Sequence, residues 1–411
     1  MGPTIIKLDM VQTLAAAAVV LFIGHGIKRK FPVFEKYSIP SAVVGGLLFA
    51  FIALGLRMNN ILNFEFDNKL QSPMMIAFFT TIGLGANLKL IKIGGIQVVV
   101  FLVLSTLLAV FQNVIGVLLT YPLGTHPFLG LLGGSISLIG GLGTSAAFGK
   151  LMEDSYGFVG GVPLGVAAST FGLMTGGLVA GPIVLALIKK HKPVHNRDSF
   201  GKGSDKMAKD LASYEGDIDT EPVGESPSAF KLLKIITIIL VAMFIGGHLS
   251  TWLGQYFTLP AYIGAMVIAG IFCNTLPIAK IKIEPRVVDD LSTIFLSLFL
   301  SMALMGLKLW DILDLALPML VILIVQIIFM AIFAYYLVYR FMGKDYDAAV
   351  MAGGLIGFAL GATSNAMASM HAIAEKHGPA PRAFLIVPIV GAFFVDFTNA
   401  LIITGFLNFL K

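Results

Sequence analysis

Gly133-Gly134-Ser135-Ile136-Ser137-Leu138-Ile139-Gly140-Gly141-Leu142-Gly143-Thr144-Ser145-Ala146-Ala147-Phe148-Gly149 is the run that decides how the chain is read. It holds too much glycine for a good membrane helix and is too apolar for an ordinary loop. Strongly hydrophobic segments flank it, which sets its backbone at membrane depth. Unpaired backbone N–H and C=O groups are tolerated there only where protein buries them or where they line a wet cavity. A second run resembles it: Gly353-Gly354-Leu355-Ile356-Gly357-Phe358-Ala359-Leu360-Gly361-Ala362-Thr363-Ser364-Asn365-Ala366-Met367-Ala368-Ser369. Interrupted apolar segments at matching places in two halves of a chain mark the binding site of a membrane transporter.

The composition agrees. The chain is 57% hydrophobic and 12% charged, with a mean hydropathy of +0.90. Soluble domains carry about 25% charged residues, so an all-α polytopic membrane protein is expected. The net charge of +5 resides in short loops between apolar runs. That is a membrane-topology pattern, and no nucleic acid is expected as a partner. Lone Cys273 cannot form an internal disulfide, and no Cys/His cluster suggests zinc. The apolar run at 11–24 precedes Lys28-Arg29-Lys30 rather than following it, so it reads as a retained first helix and not a signal peptide.

Apolar runs of about 20 residues, the length a bilayer requires, fall at roughly 10–27, 39–56, 73–91, 95–120 and 158–188. They resume at roughly 232–253, 260–276, 290–309, 315–339 and 384–408. This predicts a five-helix repeat over 1–188, a flexible polar linker over 189–230 and a second five-helix repeat over 231–411. Each repeat carries a glycine-rich re-entrant hairpin between its fourth and fifth spans, at about 128–152 and 348–373. The linker mixes charge with glycine, serine and proline and few large apolar residues, the composition of a connector rather than a domain. Ile39-Pro40 and Leu259-Pro260 lie 220 residues apart, and Leu88-Lys89-Leu90 and Leu307-Lys308-Leu309 lie 219 apart, as do Thr144-Ser145 and Thr363-Ser364. So constant an offset marks a duplication. With both termini outside, the loops at 28–37, 89–94, 189–234, 277–290, 340–347 and 371–383 are cytoplasmic. They then hold nearly all the Lys and Arg, the exceptions being Lys7, Arg57, Lys69, Lys150, Lys308 and Lys411. Basic residues gather on the cytoplasmic side, so this orientation is preferred. An odd number of spans per repeat then makes the two repeats inverted.

Each hairpin brings a helix N-terminus towards the bilayer midplane, where free N–H groups and the helix dipole suit a carboxylate. The candidate substrate groups are Gly140, Gly141, Gly143, Thr144 and Ser145 in the first hairpin and Thr363, Ser364 and Asn365 in the second. Glycine would serve there by letting backbone approach the ligand; close helix packing is its other use in membranes. Asp396 is the next candidate, because an acid inside an apolar span costs about 3 kcal/mol on insertion scales. Two roles fit it: holding the ammonium of an amino acid, or ligating sodium with hydroxyl and carbonyl oxygens. Asn399, three residues on, shares its helical face. Ser169 and Thr170 are further sodium candidates. Gln112-Asn113 and Gln326 are mid-span polar groups that interhelical hydrogen bonds also explain. Arg382 reads as a second carboxylate partner or as a positive-inside anchor.

Other chemistries fail. Gly143 to Lys150 misses the Walker A spacing, there is no GxGxxG or HExxH, and the seven histidines are scattered. No nucleophile–base set supports a membrane protease. No enzymatic activity and no cofactor are expected.

The chain resembles the bacterial sodium/glutamate symporter family. The resemblance rests on Ile39-Pro40 with Gly45-Gly46, Phe78-Phe79 with Ile82-Gly83-Leu84, Gln112-Asn113 and Gly140-Gly141-Leu142-Gly143-Thr144. In the second half it rests on Ser297 to Trp310, Gly343 to Ala349 and Phe384 to Phe394. It implies a bacterial inner-membrane protein that takes up L-glutamate with sodium as coupling ion. It also implies a homodimer in the lipid bilayer, in which a mobile transport domain moves against a static scaffold, as in elevator-type transporters. A dicarboxylate or citrate transporter and a channel are the competing readings.

Overall fold

A computed structural model describes residues 4–36, 39–191, 193, 229–255, 259–279, 281–307 and 313–410. Most of the expected linker (194–228), the Lys308 to Trp310 block and Lys411 lie outside these residues. The described chain is predominantly helical, and eight of its helices are long and apolar enough to cross a membrane.

The elements follow the apolar pattern. Strand β1 (Thr4–Leu8) leads into α1 (Met10–Lys30), α2 (Pro32–Lys36) and α3 (Ser41–Met58), then β2 (Leu62–Phe66), α4 (Gln71–Gly85) and α5 (Leu88–Leu123). Next come α6 (Pro127–Leu131), a π-helical turn (Leu132–Ile136), α7 (Gly141–Tyr156) and α8 (Gly161–His191). The second half holds α9 (Ala229–Leu253), α10 (Ala261–Thr275), α11 (Pro285–Met305) and α12 (Leu313–Phe333). A π turn (Ala334–Val338) joins α12 to the short α13 (Tyr339–Phe341), and α14 (Tyr346–Ala359) and α15 (Thr363–His377) follow. The chain ends with α16 (Pro381–Ile389), a third π turn (Val390–Phe394) and α17 (Val395–Phe409).

Local chemistry sets the ends. Asp9 and Gln12 form a reciprocal capping box on α1. Asn87 caps α5 by accepting from the Lys89 N–H. Pro127, Pro285 and Pro381 sit in the first turns of α6, α11 and α16, where a missing N–H costs nothing. Pro40 and Pro260 stand at the N-caps of α3 and α10, so the prolines 220 residues apart occupy the same place on their helices.

Two expectations change. The chain is not wholly helical: β1 and β2 pair in parallel, Thr4 opposite Leu62 through Leu8 opposite Phe66. Both strands are rich in β-branched or aromatic residues. Lys7 meets Glu65 at 3.1 Å, and the Phe64 and Phe66 rings stack beside Phe49. The seventh expected span is a helix of 15 residues, about 22 Å long against a hydrocarbon core of about 30 Å. The tenth expected span is continuously helical over 381–409, with the π turn at 390–394 inside it, two residues after Pro388.

The helices sort into two bodies. The first three helices of each half, α1, α3 and α4 with α9, α10 and α11, pack mainly on one another. The remainder of each half, α5 to α8 and α12 to α17, forms the second body. The two meet where α11 touches α7 and α8, α4 touches the third π turn and α17, and α10 touches α17. Phe148 of α7 stands edge-on to Tyr262 of α10 at 5.4 Å across this boundary. Each body therefore draws equally on both sequence halves.

Candidate functional site

The two glycine-rich runs, distant in sequence, meet in space. Each forms a pair of helices joined by a tight non-helical tip: α6 and the first π turn with α7, and α14 with α15. Gly141 at the first tip has φ +65°, and a Cβ built on it would lie 3.5 Å from the Gly361 carbonyl oxygen of the second. Positive φ is where glycine is at no disadvantage. Elsewhere glycine lets backbones touch: a Cβ on Gly149 of α7 would lie 2.6 Å from the backbone of Gly161 on α8.

Both tips lead into helices whose N-caps carry no side-chain acceptor, Gly140 for α7 and Ala362 for α15. Ser, Thr, Asp and Asn are the usual residues at that position because they bind the first free N–H groups. Their absence at both tips leaves N–H donors and two positive dipole ends converging on one place, a setting made for an anion.

The side chains divide by partner. Ser145 is the hub of a buried oxygen cluster. Its Oγ donates to Gly141 O at 2.7 Å and lies 3.0 Å from Ser137 Oγ, 3.4 Å from Ile136 O and in hydrogen-bond contact with Ser169 Oγ. Ser137 in turn donates to Gly165 O at 3.1 Å. Three hydroxyls and three carbonyls thus crowd together with only three protons among them. Candidates from two separate sets, Ser145 for substrate and Ser169 for sodium, belong to a single cluster. Ser137 and Gly165 were missed. Ser137 lay inside the opening run, but only the packing of α8 against the tip shows its use.

The remaining candidates sit apart from that cluster. Thr170 bonds back to Val166 O of its own helix, at 2.8 Å. Thr144 and Gly143 are buried at the start of α7, with Gly143 packed on Phe78 of α4 and Leu296 of α11. Thr363 donates to Gly391 O at 2.8 Å, tying the second tip to the third π turn, and Asn365 donates to Leu173 O of α8 at 2.9 Å. Ser364 is exposed. Asp396, in the first turn of α17, is half-buried, and no hydrogen bond or ion pair reaches it among the described residues. Asn399, fully buried, donates to Ser135 O at 3.0 Å. The same Ser135 oxygen accepts from Gly140 N at 2.9 Å, so Asp396's helix is bonded to the backbone that shapes the first tip.

Arg382 proves to be structural. It pairs with Asp345 and donates to Met342 O at 3.2 Å, while Asp347 accepts from Ala383 N at 3.1 Å. These bonds clamp the start of α16 to the start of α14. A cavity of ≈ 410 Å³ lies between the bodies, lined by Asn68, Gln71 and Leu307 on one side and Lys150, Glu153 and Val162 on the other. It adjoins the open end of the first helix pair rather than the tips. Among the described residues no group of His, Cys, Asp and Glu has the arrangement of a metal site.

The comparisons with known proteins agree with the geometry. A family model described as sodium/glutamate symporter matches residues 6–379. The sodium/glutamate symporter of Escherichia coli K12 is 42% identical over 402 residues, covering 97% of this chain and 98% of that protein. The sodium/glutamate symporter of Haemophilus influenzae is 38% identical over 394 residues, covering 95% of each. With a family match across most of its length and relatives aligned nearly end to end, the chain belongs to the sodium/glutamate symporter family.

Proposed function

We infer that this protein is a secondary transporter, not an enzyme, which uses inward sodium flow to drive L-glutamate uptake across a membrane. The observation that carries the reading is the meeting of two side-chain-uncapped helix N-termini at Gly141 and Gly361. The N–H groups from Gly141 to Gly143, with Thr144, would hold one carboxylate, and those of Thr363 and Ser364 the other; the Gly140 and Asn365 N–H groups, bonded to Ser135 O and Ala362 O, would shape the two tips. Asp396 would take the ammonium; it is the acid of α17, in its first turn, and no hydrogen bond or ion pair reaches it among the described residues. This also separates glutamate from a dicarboxylate or citrate, which has no ammonium to hold.

Sodium prefers hard, mostly neutral oxygens, and the Ser137, Ser145 and Ser169 hydroxyls with the Ile136, Gly141 and Gly165 carbonyls offer them. An ion there would fix the Gly141 carbonyl and so the first tip. Each ligand would then raise the other's affinity by the same factor. Thr170 would act through its neighbour Ser169, and Asp396 and Asn399 through α17.

The two glycine-rich helix pairs would be re-entrant hairpins entering from opposite faces of the bacterial inner membrane, within inverted repeats 1–188 and 231–411 joined by a cytoplasmic linker at 189–230. Both termini would be outside, as the cytoplasmic placement of Lys28, Arg29, Lys30, Lys189, Lys190 and Arg340 favours. The body holding the tips would be the moving part of an elevator and the six-helix body its scaffold. The scaffold face of α9 exposes Phe230, Leu233, Leu240 and Phe244, an apolar strip suited to lipid and to a homodimer contact. The test is uptake of labelled L-glutamate into proteoliposomes under an inward sodium gradient, with potassium as control. Concentrative uptake that requires sodium is expected; equal uptake driven by protons alone would overturn the coupling.

A further inference from the structure

Behind the first tip lies a polar cluster of which the symport reading uses only Asn399. Gln112 and Asn113 of α5, Ser135 of the first π turn, Gln326 of α12 and Asn399 of α17 are all 0% exposed, in the middle of four apolar elements. Several of their polar atoms have no hydrogen-bond partner: both ends of Gln112, Asn113 Nδ2, Ser135 Oγ, Gln326 Oε1 and Asn399 Oδ1. Buried polar atoms are nearly always partnered, and a concentration of exceptions points to a water or ion.

Hydrogen bonds to backbone fix which atoms face inward. Asn399 donates its amide to Ser135 O, and Gln326 donates its own to Gln112 O at 2.6 Å. Both amide oxygens are therefore the free ends. Asn113 Oδ1 accepts from Ser135 N at 3.0 Å, which leaves its NH2 free. The groups are contiguous: a Cβ on Gly134, next to Ser135, would lie 2.8 Å from Asn113 Oδ1 and 3.0 Å from Gln112 O. Gln112 is unconstrained at either end and can turn its oxygen inward. Four neutral oxygens with no carboxylate suit a monovalent hard cation better than a divalent one, whose sites use acidic ligands.

We propose that Ser135, Asn399, Gln326 and Gln112 form a second sodium site, separate from the Ser145 cluster and placed behind the first tip. The inference rests on the sodium-symport reading. Gly134 inside the π turn has φ −97° and ψ −139°, a break in the helix that turns Ser135 O to accept from both Gly140 N and Asn399. An ion on Ser135 would therefore stiffen the backbone that carries the tip, giving a second route from sodium to the glutamate site.

The experiment is a sodium titration of the purified full chain in lipid nanodiscs without glutamate, read by thermal stability, with choline replacing sodium at constant ionic strength. Wild type, Ser135→Ala, Asn399→Leu and, for the other cluster, Ser145→Ala are compared. The expected result is an about tenfold rise in half-saturating sodium for Ser135→Ala and Asn399→Leu, with stability in choline close to wild type for Ser135→Ala. Double variants with Ser145→Ala should lose the sodium response altogether. A wild-type sodium response in Ser135→Ala and Asn399→Leu overturns the site while leaving sodium coupling intact. Equal destabilisation in choline and sodium also overturns it and assigns the cluster to buried water. No sodium response in wild type overturns the coupling itself, and this site with it.

Discussion

Gly141→Ala isolates the geometry of the first tip. At φ +65° an alanine lies in the left-handed region, at a cost of about 1–2 kcal/mol. Space is not limiting, because the added Cβ meets nothing closer than Gly361 O at 3.5 Å, an ordinary van der Waals contact. The variant should therefore fold. Its tip backbone would relax away from positive φ, re-aiming the Gly141 carbonyl that Ser145 holds and the N–H groups that follow. It would also carry a methyl group into the gap between the two tips. If that strain is lost from ligand binding, about 1.4 kcal/mol corresponds to tenfold in affinity. Half-saturating glutamate in sodium-driven proteoliposome uptake should then rise about tenfold, with yield and monodispersity close to wild type. Gly143→Ala is the contrast: its Cβ would lie 2.5 Å from Phe78 Cε1 and 3.0 Å from a Leu296 methyl, so it should disturb packing between the bodies. Wild-type half-saturation and rate in Gly141→Ala would refute the placement of glutamate between the tips.

Asp396→Asn should cut sodium-driven uptake at least tenfold while folded protein in the membrane stays unchanged; normal uptake would remove Asp396 from the mechanism. Ser145→Ala deletes the hub of the oxygen cluster and should raise half-saturating sodium for uptake about tenfold, since one ligand is worth about 1.4 kcal/mol on this scale. Arg382→Met leaves Asp345 partly buried without its ion pair, so a destabilisation of about 3 kcal/mol is expected, measured as lowered thermal stability. His126 caps α6 through Nδ1, which accepts from Phe128 N at 3.2 Å, and desolvation against the Phe128 and Phe158 rings pushes its pKa below the ordinary value. The unfolded chain then binds the proton more readily. The contribution is fully present above about pH 6.5 and is lost as pH falls from there through the lower folded value. Melting at pH 8 and pH 5.5 should show this loss in wild type and not in His126→Asn, which keeps an acceptor that does not titrate.

Membrane class, span order and the two glycine-rich runs were legible in the chain because they depend on one-dimensional quantities. A bilayer demands apolar segments of a set length, and a glycine-rich interruption of them is visible in residue order alone. The same reasoning missed β1 and β2, since five alternating residues at 4–8 and 62–66 carry little signal beside spans four times longer. Nor does the apolar pattern of the last span reveal the π turn at 390–394, whose Gly391 carbonyl accepts from Thr363. Which residues share a site was beyond the sequence altogether. Ser145 and Ser169 are 24 residues apart, and Ser135 and Asn399 are 264 apart. The first contact exists because α8 folds back on α7, and the second because helices from both halves interleave in one body. Composition and periodicity determine that these segments enter the membrane; only the packing of one tip against the other decides which oxygens and amides converge.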